Sequence, residues 1–116
     1  MCIRELTRKY RAELALVSSY TVSPAQVGSS GGGFHGIGGE LSNGLTVWVS
    51  NGEMEHHDDI HWTVGLHYEG GYLGRIESDS LAEQLHIAAA LTADQVNALK
   101  TGSHSSVAFP EQLIAP

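Results

Sequence analysis

Between Arg11 and Arg75 the chain contains no lysine and no arginine. The gap excludes a broad basic surface over the middle of the molecule, and with it phosphate-backbone binding by that region. Cysteine is nearly absent: Cys2 stands alone, so no intrachain disulfide can form. No apolar run approaches the roughly 18 residues of a membrane-spanning helix. The opening "MCIRELTRKYRAEL" is charged throughout and lacks the apolar centre of a secretory signal. Together these absences lead to the expectation of a cytoplasmic protein without a membrane or a direct nucleic-acid partner.

Catalytic signatures are missing too. There is no G-x-S-x-G nucleophile elbow and no H-E-x-x-H zinc motif. The glycine-rich run "GSSGGGFHGIGG" (28–39) holds seven glycines, but no G-K-[S/T] follows it. It therefore reads as a loop rather than a phosphate cradle. Cys2 leads into a helical pattern, not into the strand expected after an N-terminal nucleophile. No catalytic residue and no cofactor is expected.

What is present fits one domain. A chain of 116 residues that is 41% apolar and 16% charged can bury a real core. Its net charge of −7 is unevenly spread. Arg4, Arg8, Lys9 and Arg11 against Glu5 give residues 1–11 a charge of +3, and twelve acids against Arg75 and Lys100 give the remainder −10. Such a body repels nucleic acid and attracts basic protein surfaces, although acidity also serves solubility alone.

Hydrophobic periodicity gives an α+β fold: an N-terminal helix, an antiparallel meander of about four strands and two C-terminal helices. Ile3, Leu6, Tyr10, Leu14 and Val17 recur at helical spacing over 3–19, with Arg4, Arg8 and Arg11 opposite. The period then becomes two. Strands are expected at about 34–41, at 45–50, at 60–68 and at 72–77. Asn43-Gly44 and Asn51-Gly52 mark hairpin turns. A three-residue loop at 69–71 keeps Leu66 opposite Gly74 and Val64 opposite Ile76, whereas a two-residue turn would mix the faces. Ser80–Glu83 and Thr92–Gln95 are capping boxes for the last two helices. Residues 103–116 read as an extended C-terminal arm.

The densest chemistry lies in "NGEMEHHDDIHW" (51–62). Glu53, Glu55, Asp58 and Asp59 are clustered there with His56, His57 and His61. Phase considerations make 55–59 a bulge or protruding loop. Adjacent His56 and His57 point to opposite faces of a strand, and His61 and His67 lie about 20 Å apart along one, so neither pair chelates a single ion. A loop could still gather His57, Asp59 and His61 into a metal site, which sustains a small metal-dependent enzyme or metal sensor as the alternative. The first reading is partner binding. Glu53, Glu55, Asp58 and Asp59 would supply charge, beside the outward-facing Trp48, His61 and His67 of the sheet. A helix or the C-terminal arm covering Trp48 is the bland alternative.

In size, acidity, cysteine poverty and the "EMEHHDD" loop, the chain resembles the small phage or mobile-element proteins that inhibit bacterial defence, the anti-CRISPR proteins. These share no diagnostic motif, so no residue role is carried over. The resemblance implies a stoichiometric inhibitor of a CRISPR effector or its helicase–nuclease, acting in the host cytoplasm by blocking nucleic-acid access or recruitment. The basic stripe on the N-terminal helix departs from a purely acidic mimic. It leaves open a contact with an acidic surface, or a homodimer in which the stripe meets the acidic loop.

Overall fold

The structure is a computed structural model that describes residues 2–31, 34–51 and 62–116. Ile3–Lys9 (α1) and Arg11–Ser18 (α2) open the chain. The single helix expected over 3–19 is interrupted at Tyr10 (φ −106°, ψ 31°). Hydrogen bonds run through the break, from Tyr10 N–H to the Leu6 carbonyl (2.9 Å) and from Leu14 N–H to the Tyr10 carbonyl (2.8 Å). The deviation coincides with deep burial of the Tyr10 ring, which meets Trp62 edge-on at 5.6 Å. Leu6, Tyr10 and Val17 are buried as the periodicity requires, but Ile3 is exposed. Arg4, Arg8 and Arg11 all face solvent.

Among the described residues six antiparallel strands follow in meander order: Gln26–Gly31 (β1), Phe34–Glu40 (β2), Thr46–Ser50 (β3), Thr63–Tyr68 (β4), Gly71–Glu77 (β5) and Leu113–Ile114 (β6). The helices Leu81–Ala89 (α3) and Ala93–Thr101 (α4) lie between β5 and β6 in sequence. This is the expected α+β class: a sheet whose inner face carries Ile37, Val47, Val49, Val64, Leu66 and Ile76 against helix residues such as Leu6, Val17, Leu85 and Val96.

Two expectations are corrected by the strands. Of the glycine-rich segment 28–39, residues 28–31 and 34–39 are strand rather than loop. They form most of the β1–β2 hairpin, with Gly28 paired to Gly36 and Gln26 to Gly38. Between β4 and β5 the connection is a two-residue turn, Glu69-Gly70, with Tyr68 paired to Gly71. Both turn residues have positive φ (49° and 81°), which matches the twist of the flanking strands. The face-mixing that a short turn would cause is avoided by a bulge. His67 pairs with Tyr72 but Leu66 with Gly74, so Leu73 is the extra residue and Val64 still meets Ile76.

Side chains fix the connections. Asn43 is the turn residue expected between β2 and β3, and its Nδ2 also donates to the Ala88 carbonyl of α3 (2.9 Å). Asn51 differs from Asn43. Ser50 pairs with Thr63, so residues 51–62 span the β3–β4 connection, and Asn51 is 2% exposed and hydrogen-bonded with Tyr10. The bulge expected at 55–59 lies outside the described residues. Fully buried Gln84 donates through Nε2 to the Trp62 carbonyl (2.7 Å) and the Ser78 carbonyl (2.8 Å), tying the start of β4 to the approach to α3.

Thr92 and Gln95 form a complete capping box, Ser80 accepts from Glu83 N–H, and Gly102 ends α4 at φ 74°. Lys100 on α4 lies 3.9 Å from the centre of the Tyr68 ring. The C-terminal arm passes through a short 3-10 turn, His104–Ser106. It then docks as β6 on β5, helped by the hydrogen bond from Gln95 Nε2 to the Ala108 carbonyl (2.9 Å). No helix among the described residues is long and apolar enough to cross a membrane.

Candidate functional site

Alternation along the strands assigns the outer sheet face its side chains: Glu40 on β2; Thr46, Trp48 and Ser50 on β3; Thr63 and His67 on β4; Tyr72, Arg75 and Glu77 on β5. All of these are exposed or half-buried, in contrast to the fully buried inner row of Val47, Val49, Val64 and Leu66.

Trp48 organises this face. Its indole lies across the backbone of β2 and reaches β1. A β-carbon at Gly36 would stand 2.4 Å from indole Cε2, one at Gly38 3.3 Å from Cε3, and one at Gly28 3.5 Å from Cη2. The alternating glycines thus form a bed for a large flat ring, and a side chain at Gly36 would displace it. The ring of His67 uses the same device on β4, because a β-carbon at Gly65 would lie 3.3 Å from its Nε2. Gly65 is the direct cross-strand partner of Trp48, and His67 that of Thr46.

Between the two rings opens a cavity of about 320 Å³, lined by Ser29, Thr46, Trp48, His67 and Gly70. Exposed Glu40 and Glu69 neighbour its lining residues. Glu40 is directly opposite Thr46 across the β2–β3 pair, and Glu69 precedes Gly70 in the turn. Tyr72, 45% exposed, extends the aromatic surface with its ring 5.5 Å from that of His67. Partial burial of His67 penalises its charged form and lowers its pKa below 6.5, so the ring is neutral at pH 7. Arg75 donates from Nε to Glu77 at 2.7 Å, which balances its charge and holds its pKa above the ordinary value.

Of the side chains singled out in the sequence, Trp48 and His67 come together at this cavity. Glu53, Glu55, His57, Asp58, Asp59 and His61 lie outside the described residues. Among the described residues no three histidine, cysteine or acidic side chains are grouped to hold a metal ion. Thr46, Tyr72 and the glycine bed were not singled out by sequence reasoning. The usable signal was the two-residue spacing of Gly36 and Gly38 on a strand neighbouring a tryptophan.

The chain matches no known family model, and neither a curated protein nor a solved structure matches it.

Proposed function

We propose that the protein is a non-enzymatic binding module. It acts as an inhibitor by setting its acidic body and open sheet face against a basic surface of a nucleic-acid-binding protein in the bacterial cytoplasm. The observation that carries this reading is the half-buried Trp48 on the outer sheet face, with Glu40 and Glu77 on the same face, in a chain whose residues 12–116 bear a charge of −10. An aromatic anchor supplies contact area, and surrounding acidity steers a basic partner and sets specificity. The resemblance to anti-CRISPR proteins selects the first targets to try: a CRISPR nuclease or effector complex, or its helicase–nuclease.

The test is binding to purified effectors of several types, with and without nucleic acid, compared with a variant in which Glu53, Glu55, Asp58 and Asp59 are replaced by amides. The expected result is competition with nucleic acid, with slower association and a shallower salt dependence for the variant. Equal binding and inhibition by parent and variant at low and high salt would reject the acidic-loop component. Failure to bind any effector would reject the target class.

A further inference from the structure

We infer that the cavity between Trp48 and His67 is a pocket for an arginine side chain of a partner protein. The inference rests on the reading of a basic partner and names the contact at its centre. Three observations select the occupant. The indole that forms one wall is held flat by the glycine bed, and an indole face attracts a guanidinium electrostatically while stacking on its plane. Two exposed carboxylates neighbour the lining residues, Glu40 across the strand pair from Thr46 and Glu69 next to Gly70 in the chain. They favour a cation and disfavour a phosphate or carboxylate. Arg75, across from Gly65 on β5, is already engaged by Glu77 at 2.7 Å and by a hydrogen bond with Tyr72.

Size and polarity agree. At about 320 Å³ the cavity falls at the small end of the range for ligand sites, roughly 300–1,000 Å³, and accepts one long side chain with ease. The Thr46 hydroxyl can accept a hydrogen bond from a guanidinium N–H. The neutral imidazole of His67 packs beside it without repulsion. An apolar occupant would gain the stacking but leave the two carboxylates unused.

The pocket is tested by NMR with a short acetylated peptide containing arginine, and with its counterpart in which citrulline replaces arginine. Citrulline keeps the shape and removes the charge. Trp48 and Trp62 give separate indole N–H signals, assigned with Trp48→Phe. The expected result is a saturable shift of the Trp48 signal by the arginine peptide, with binding at least about tenfold weaker for the citrulline peptide. Trp48→Ala strips the glycine bed and can disturb folding, so Thr46→Lys serves as the second variant. It places a cation at the exposed rim and should abolish the shift without changing the melting temperature. Glu40→Gln with Glu69→Gln should weaken the peptide severalfold. Equal binding of the two peptides, or no shift at Trp48, overturns the inference. Because the peptide experiment uses no effector, its failure is separable from failure of the proposed function, which effector binding reports.

Discussion

Trp48 and Gly36 are packed so closely that no side chain fits between them, since a β-carbon on Gly36 would stand 2.4 Å from indole Cε2. The contact is between a ring and a backbone, so it depends on what Gly36 lacks. It explains why a glycine-rich run forms strands here: glycine is unfavourable in a strand unless something else must occupy the space its side chain would take.

Gly36→Ala should therefore destabilise the protein by about 1–3 kcal/mol in chemical denaturation, the usual range for overpacking. Gly38→Ala, with a clearance of 3.3 Å, should cost less. Combining Gly36→Ala with Trp48→Ala should cost less than the sum of the two single changes, because the clash needs both partners. Strict additivity would show that the indole does not rest on this bed.

Gln84→Leu should lower stability by several kcal/mol at most, since it leaves the Trp62 and Ser78 carbonyls without their buried donor, at about 1–3 kcal/mol for each. Hydrogen exchange should locate the loosening at the start of β4 and of α3. Protection unchanged at both places would show that the amide does not clamp them.

His67 makes stability depend on pH in a definite direction. Its folded pKa is lowered below 6.5, whereas in the unfolded chain it is ordinary, so in acid the unfolded state binds more protons. The contribution is nil well above 6.5 and becomes destabilising as pH falls through 6.5 toward the folded pKa. The groups beside the ring are Thr46, Gly65 and the Tyr72 ring, with Glu69 and the Arg75–Glu77 pair nearby. Melting temperatures of parent and His67→Gln should converge at neutral pH and separate in mild acid, with the parent falling faster. Parallel curves would show that the ring titrates as freely in the fold as outside it.

Chelator and reductant should leave the melting temperature unchanged. A structural ion contributes its binding energy directly to folding, so a drop of more than about 10 °C in chelator would favour the metal reading built on His57, Asp59 and His61.

Much of this architecture follows from local pattern. The core strands β3 and β4 alternate so regularly that only one face of each could be buried. Thr92 with Gln95 and Ser80 with Glu83 announce the starts of α4 and α3. Trp48 and His67 could be placed on the outer face for the same reason, because a period of two needs no knowledge of neighbours.

Tertiary structure decided what depends on partners distant in sequence. The two-residue spacing of Gly36 and Gly38 does not by itself say what fills the space above them, and their role exists only because Trp48 lies over them. The turn at Glu69-Gly70 could be short because Leu73 was free to bulge and restore the phase of Leu66 and Val64. The N-terminal helix is broken where Tyr10 reaches Trp62 and Asn51, more than forty residues away in the chain. By itself the sequence determined which face of β3 and of β4 is apolar and where the net charge lies, since both are properties of single residues in order. The open cavity, its two ring walls and the carboxylates beside it are properties of strand register, which side-chain packing across the sheet sets.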